Sequence, residues 1–196
     1  MRAATVAVAA LLSLTACGGR ATGEPPMSTP GEARWAQVRF AAPLPRAEPA
    51  LIQIPKLKVS APVTRLGLKP DGTIEEPPLS RPNLAGWWEE GPTPGEGGPS
   101  VIIGHLDADH RPAVFYGLKS LVRGDRILVT RQDGRTATFA VERIERVPKT
   151  SFPAEKIYAE DIDHAALRLV TCGGAVDPAT GRYRDNVIAY TRLVQP

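Results

Sequence analysis

The sequence predicts a mostly β protein whose strands close, or nearly close, into a barrel. From residue 51 onward, short apolar and β-branched runs alternate with turn residues, which is typical of strands. The 20 prolines and 18 glycines among 196 residues favour a loop-rich fold of short strands over a helical bundle. No long helix is indicated between the strands, and many short strands without one are typical of a barrel.

The strands after residue 50 can be assigned from their apolar runs. The clearest pair is the hairpin Arg126–Gln132 and Arg135–Val141, because Asp133-Gly134 between them readily adopts the turn that matches strand twist. The remaining strands are expected over Leu51–Ile54, Val59–Thr64, Ser100–His105, Leu167–Cys172 and Asn186–Val194.

The connections between these strands differ in character. Lys69–Gly72 has the composition of a tight turn. Glu76–Pro99 is dense in proline and glycine, which predicts a long irregular loop, and its Trp87 and Trp88 are expected in core and loop packing rather than in a platform for a peptide. A short helix is predicted over Pro112–Leu121.

Composition excludes several classes of function. The length of 196 residues suits one domain with appendages, and the net charge of +3 is small. Since no dense Lys/Arg run with interleaved aromatic residues is present, a nucleic-acid partner is not expected. The three histidines are scattered, so no metal site and no cofactor are expected.

The first 17 residues predict a signal peptide with a lipobox-like end. The uncharged run Ala3–Ala16 is shorter than the roughly 20 residues that span a bilayer, but has the length of the apolar part of an export signal. It leads into Leu14-Thr15-Ala16-Cys17-Gly18, which resembles a bacterial lipobox with Cys17 as the lipidated residue. An ordinary export signal with an incidental Cys17 and a short uncleaved anchor are the alternatives. All three place the folded domain outside the cytoplasm.

Residues 18–50 are predicted to be a proline-rich tether. The segment lacks apolar periodicity and is rich in Pro, Gly, Ala, Glu and Arg, which indicates a disordered or semi-extended chain. Trp35 and Phe40 are the residues that could form a small packed segment within it.

Three reactive residues lie at or beside the ends of predicted strands: His105, Cys172 and Arg184. If Cys17 is acylated, Cys172 has no partner for a disulfide, and a free thiol outside the cell needs a reason, such as catalysis. Taken singly, each has a structural explanation, as a buried small side chain, a surface histidine and a surface ion pair with Asp185. Their separations of 67 (172 − 105) and 12 (184 − 172) residues mean that only the fold can bring them together.

Three motifs in the same order resemble those of the sortase family. Leu169–Gly174 (Leu-Val-Thr-Cys-Gly-Gly) resembles the signature T-L-x-T-C, Val101–Asp107 resembles the strand with the catalytic histidine, and Tyr183–Ile188 resembles the segment with the essential arginine. The likeness runs from about Leu51 to Val194 and is greatest to the class F sortases of actinobacteria. Arg168 departs from the signature, because it stands where the first threonine is expected.

The resemblance implies a closed eight-stranded sortase-type β-barrel with short helices and long loops, with residues 51–196 as the catalytic domain. It implies Cys172 as nucleophile, His105 as acid/base, Arg184 as electrostatic stabiliser and Thr171 as a substrate-binding residue. Asp107 and Asp185 are candidates to orient His105 and Arg184, or are simply solvated carboxylates.

The resemblance also implies a reaction and its partners. A sorting signal like Leu-Pro-x-Thr-Gly on a secreted protein would be cleaved through a Cys thioester. The acyl group would pass to an amine of a peptidoglycan precursor or a pilin. The enzyme would be held by its N-terminal anchor on the outer face of the cell membrane of a Gram-positive bacterium. One alternative is a non-catalytic or hydrolysing lipoprotein that binds the cell wall or peptides. Another is an L,D-transpeptidase-like enzyme, although the Ser-x-Gly-Cys-x-Arg context of that family is absent.

Overall fold

A computed structural model describes residues 29–196 of the chain. The predicted signal peptide and Cys17 lie outside these residues. Within them, no helix is both long enough and apolar enough to cross a membrane.

Eight strands close into a barrel in the described part of the chain, in the order β1-β2-β3-β4-β9-β10-β8-β7. The predicted mostly β fold with a closed barrel is therefore confirmed. In chain order the strands are β1 (Pro49–Ile54), β2 (Val59–Leu66), β3 (Ala85–Trp88), β4 (Gly98–Gly104), β5 (Asp107–Ala108), β6 (Arg111–Pro112), β7 (Arg126–Arg131), β8 (Thr136–Pro148), β9 (Ala165–Val176) and β10 (Tyr183–Val194). The short pair β5–β6 lies apart from the barrel sheet.

The helical elements of residues 29–196 are short. They are α1 (Pro30–Ala36), α2 (Ala154–Tyr158) and three 3₁₀ turns at Pro55–Leu57, Leu118–Ser120 and Lys149–Ser151. The helix predicted over residues 112–121 is wrong apart from the second of these turns. Backbone hydrogen bonds of the segment to Leu106, Pro82 and His105 hold it in an irregular path instead.

Apolar side chains fill the barrel and also cover part of its outer face. The interior cluster includes Trp87, Phe115, Phe139, Ile52, Ile54 and Ile102. A second cluster, with Val101, Val170, Ile188 and Tyr190, packs against the side of the barrel that α2 covers. The central residues of β4, β9 and β10 are consequently buried on both faces, which is why apolar residues follow one another there rather than alternate with polar ones.

The long loop predicted over residues 76–99 contains an additional strand, β3. It pairs in parallel with β2 and antiparallel with β4, so it is needed to close the barrel. Its four residues, Ala-Gly-Trp-Trp, lie between proline- and glycine-rich stretches, and the strand is defined by its two neighbours rather than by its own propensity. Trp87 is buried in the core, as expected, and its indole N–H donates to the carbonyl of Pro92 at 3.0 Å.

The described part of the predicted tether is packed on the barrel. Helix α1 begins with a capping box between Thr29 and Glu32. Phe40 forms a β-bridge with Val194, and the Leu44 N–H donates to the carbonyl of Gly95 at 2.7 Å. Trp35 and Phe40, the residues that could pack, do so with ring centroids 5.9 Å apart. The disordered or semi-extended character predicted for the tether therefore does not hold for residues 29–50, because their backbone contacts to distant strands leave no trace in local composition.

Gly104 is the last residue of β4 and directly precedes His105. A substitution there tests how tightly the core packs around this position. A Cβ at this position would lie 2.6 Å from carbons of both Phe115 and Val114, which are buried and cannot move aside. We expect Gly104→Ala to lower the free energy of unfolding by about 1–3 kcal/mol, measured by chemical denaturation. Gly97→Ala is the control, since a Cβ there meets its neighbours at 3.9–4.0 Å. Equal stability of the two variants would contradict this packing argument.

Candidate active site

The register between β4 and β9 places His105 beside Cys172. These strands are parallel neighbours, and in every pair, up to Ile103 with Val170, the β9 residue is numbered 67 higher than its β4 partner. His105 and Cys172 are separated by the same 67 residues, and each lies two residues beyond the last pair. Adjacent strands lie about 4.8 Å apart, so the two residues leave the sheet side by side.

Both side chains open into a cleft of about 700 Å³ on the outer side of the barrel. Side chains alternate along a strand, so Cys172 shares its face with Val170, and His105 shares its face with Ile103. Most of the cleft is apolar, and its walls come from the segment after β2 and from the connection between β8 and β9. Its apolar lining includes Leu68, Ile74, Trp88, Ile103, Phe152, Tyr158 and Val170.

Cys172 is half-buried and is a free thiol. The ammonium of Lys149 donates to its sulfur, with Nζ 3.4 Å from Sγ. Asn186 of β10 is the direct cross-strand partner of Cys172 and lines the same cleft. The thiol is thus reachable from solvent and has a cation and an amide beside it.

The ring of His105 is held by the segment that forms one wall of the cleft. Its Nε2 lies 2.5 Å from the carbonyl oxygen of Pro77. A carbonyl oxygen can only accept a hydrogen bond, so Nε2 carries a proton in this arrangement, and in the neutral ring Nδ1 is the unprotonated nitrogen.

The two candidate orienting carboxylates bind other residues. Asp107 accepts a hydrogen bond from the hydroxyl of Tyr183, and this bond is the main reason that the pKa of Tyr183 is raised to about 12. Asp185 lies 3.4 Å from the guanidinium of Arg146. Asp107 therefore ties the start of β10 to β5, and among residues 29–196 neither carboxylate binds His105 or Arg184.

Arg184 lies at the margin of the site rather than in the cleft. It occupies a register shift of β10, two residues before Asn186. Its side chain is 58% exposed, and its Nε lies 3.5 Å from a carboxylate oxygen of Asp177. It lines a neighbouring cavity that Lys149 also borders. The structure thus brings His105 and Cys172 into one cleft and leaves Arg184 outside the lining of that cleft.

Thr171 points into the barrel, since it alternates with Cys172. Only 3% of its surface is exposed, and its hydroxyl has no hydrogen-bond partner among residues 29–196. It borders both the main cleft and a second cleft, of about 620 Å³, that opens on another side of Cys172. The second cleft is more polar, with Tyr116, Lys119, Arg146 and Tyr183 in its lining. The sulfur is therefore accessible from two directions.

Comparison with known proteins identifies the family of the chain. The sequence model described as the sortase domain matches residues 52–194. The chain belongs to the sortase family. Sortases are cysteine transpeptidases, so this chain is an enzyme of that class. Comparison with curated proteins gives no match.

Several solved sortases share the fold of this sortase. Sortase C from Clostridium perfringens SM101 is 19% identical, with a TM-score of 0.55 over 76% of this chain and 70% of that one. Sortase A from Corynebacterium diphtheriae is 21% identical, with a TM-score of 0.58 over 78% of this chain and 63% of that one. A Clostridium perfringens sortase D5 transpeptidase is 23% identical, with a TM-score of 0.56 over 76% and 79%.

The departure of this sortase from the T-L-x-T-C signature has a structural role. Arg168 is 4% exposed, its Nη2 lies 2.8 Å from a carboxylate oxygen of Glu160, and its guanidinium lies 4.8 Å from the centroid of the Tyr190 ring. Glu160 belongs to the connection between β8 and β9 that forms a wall of the cleft. Arg168 therefore anchors that connection to the barrel.

Sequence reasoning missed three residues of this site. Lys149 and Pro77 come from connections with no recognisable motif, so nothing in the sequence points to them. Trp88 was expected in packing, but it is half-buried and lines the cleft. Strand alternation offered the signal for Trp88, because a buried Trp87 places its neighbour on the outer face.

Proposed function

We propose that this sortase cleaves a sorting signal like Leu-Pro-x-Thr-Gly between Thr and Gly and transfers the acyl group to an amine. The observation that carries the proposal is the position of Cys172 and His105, side by side in the apolar cleft. The leucine and proline of such a signal suit the apolar walls of this cleft, which exclude water from the reacting carbonyl.

The reaction has two steps that share the same groups. The Cys172 thiolate attacks the carbonyl carbon of the signal's threonine, and the C–N bond breaks as protonated His105 gives its proton to the leaving amine. This leaves a thioester on Cys172. An acceptor amine then attacks the thioester, His105 takes a proton from it, and Cys172 leaves as thiolate. Because Nε2 donates a hydrogen bond to the carbonyl oxygen of Pro77, Nδ1 is the ring nitrogen free to exchange these protons.

The second cleft supports the transfer step. Cys172 borders both the second cleft and the apolar cleft. An acceptor can therefore approach through the second cleft while the acyl chain still occupies the apolar one. We place the amine of a peptidoglycan precursor or a pilin there. Thr171 borders both clefts directly before the nucleophile, and we assign it as a substrate-binding residue. Without an amine, water would take the same route and hydrolyse the thioester.

Arg184 is proposed as the stabiliser of the tetrahedral oxyanion. It lies at the shift in β10, close to the residue paired with Cys172, and bulges commonly re-aim side chains next to active sites. To stabilise the oxyanion, the guanidinium of Arg184 must leave the carboxylate of Asp177 and bind the substrate oxygen. We therefore assign it to the transition state of the bound complex rather than to the resting enzyme.

We expect Arg184→Ala to lower kcat by about 10²–10³-fold in steady-state cleavage of a sorting peptide, since one oxyanion donor is lost. The matched control is Arg182→Ala, because Arg182 is exposed and borders the same cavity as Arg184. Equal kcat for the two variants would refute the assignment of Arg184.

The resemblance in sequence supports finer proposals about class and location. We assign the enzyme to class F, on the motifs around His105, Cys172 and Arg184. We propose that acylated Cys17 holds it on the outer face of the cell membrane of a Gram-positive bacterium. Secreted proteins with a C-terminal sorting signal are its proposed substrates there.

One assay tests the reaction as a whole. The purified protein is incubated with peptides that contain Leu-Pro-x-Thr-Gly and its variants, with and without candidate amines. Intact-mass spectrometry should detect an acyl-enzyme on Cys172, and the transferred product should appear only when an amine is present. Failure of every peptide to acylate Cys172 would favour the non-catalytic alternative.

A further inference from the structure

The cation nearest to the thiol among residues 29–196 is not the arginine that the family resemblance indicates. Lys149 donates to the Cys172 sulfur at 3.4 Å, whereas Arg184 is turned toward Asp177. Lys149 forms no ion pair with a carboxylate within the described residues. Its charge is therefore not neutralised by an acidic neighbour.

The barrel register explains why Lys149 reaches the sulfur. Pro148, the last residue of β8, pairs with Asp185 of β10, and the next residue of β10, Asn186, pairs with Cys172. Lys149 follows directly and begins a 3₁₀ turn, so its backbone lies two strands away from the thiol. The lysine side chain spans that gap, since its Nζ lies 3.4 Å from the sulfur of Cys172.

We propose that Lys149 is the electrostatic partner of the Cys172 thiolate in the resting enzyme. This inference rests on the proposed function, in which Cys172 is the nucleophile. A hydrogen bond from an ammonium favours the charged form of its acceptor, and the thiolate is the form that attacks. The two cations then have separate tasks, with Lys149 acting on the free thiolate and Arg184 on the oxyanion of the bound substrate.

The size of the effect is limited by solvent. Lys149 is exposed, so salt and water screen its charge. We expect Lys149→Met to lower kcat/KM by about 3- to 10-fold, between the effect of an exposed ion pair and that of a hydrogen bond to a charged group. The loss should be much smaller than that of Arg184→Ala.

The test measures the reactivity of the Cys172 thiol in the absence of any sorting peptide. Alkylation of Cys172 by iodoacetate, which is anionic, is compared with alkylation by neutral iodoacetamide at the same pH. A cation beside the sulfur attracts the anionic reagent, so Lys149→Met should lower the iodoacetate-to-iodoacetamide rate ratio by about 3- to 10-fold, and added salt should shrink the difference from the unmodified enzyme. Lys149→Arg should restore most of the ratio, because it keeps the charge.

Two controls separate the possible outcomes. Lys156→Met removes a lysine of the same connection that lies 5.3 Å from the Tyr190 ring centroid, and should leave the ratio unchanged. Arg184→Ala should lower kcat and leave the ratio unchanged. If Lys149→Met leaves the ratio unchanged, or if Lys149→Arg fails to restore it, the role of Lys149 is overturned. The proposed function fails separately, if Cys172→Ala still forms product.

Discussion

Replacement of Cys172 by alanine is expected to abolish both the acyl-enzyme and the cleavage of a sorting peptide. The thiol is the nucleophile in the proposed mechanism, and no second cysteine lies in the described residues. Removal of a nucleophile from a catalytic unit typically costs at least about 10⁴-fold in kcat. Product formation is followed by chromatography and the covalent intermediate by intact-mass spectrometry.

Cys172→Ser is the matched control for the shape of the site. It preserves the size of the side chain and its position opposite Asn186, so the fold and peptide binding should remain. Its hydroxyl is a much weaker nucleophile without strong activation, so activity should stay far below that of the thiol enzyme. Residual turnover by Cys172→Ala at more than a few per cent of the original rate would remove Cys172 from the mechanism.

His105→Gln is expected to lower kcat/KM for a peptide by about 10²–10⁴-fold, the usual contribution of a general acid–base group. The leaving amine would depart without a proton, which is the difficult part of amide cleavage. An activated ester of the same acyl group has a leaving group that needs no proton. The loss for the ester should therefore be markedly smaller than the loss for the peptide, and the ratio of the two losses is the measurement.

His110→Gln serves as the control, because His110 is exposed and lies outside the cleft. It should leave both substrates unaffected. Equal losses for the peptide and the ester in His105→Gln would contradict the role of His105 as proton donor and would point to a role in holding the thiol or the Pro77 segment.

Most strands could be predicted because their signals are local. The hairpin β7–β8 follows from Asp133-Gly134 between two apolar runs, and the doubly buried strands β4 and β9 follow from mostly apolar sequence. Strand β3 was missed because its pairing with β2 and β4 comes from residues far along the chain. The backbone contacts of residues 29–50 to the barrel were missed for the same reason, although Trp35 and Phe40 were named as residues that could pack.

In the candidate site too, local features could be predicted and contacts between distant residues could not. His105, Cys172 and Arg184 were singled out from residue type and motif, and their catalytic roles stay predictions. That His105 and Cys172 share one cleft depends on the parallel pairing of β4 with β9. That Arg184 turns toward Asp177 while Lys149 contacts the thiol depends on side-chain neighbours that no motif describes.

The sequence by itself determined the mostly β character of this protein, most of its strands and the identities of the reactive residues, because each depends only on residues close together in the chain. Only the tertiary structure decided which reactive groups meet, which carboxylates bind elsewhere and which lysine lies at the sulfur. The physical reason is that distances of a few ångströms across the barrel rim are set by strand register and barrel closure. Those depend on the whole chain at once.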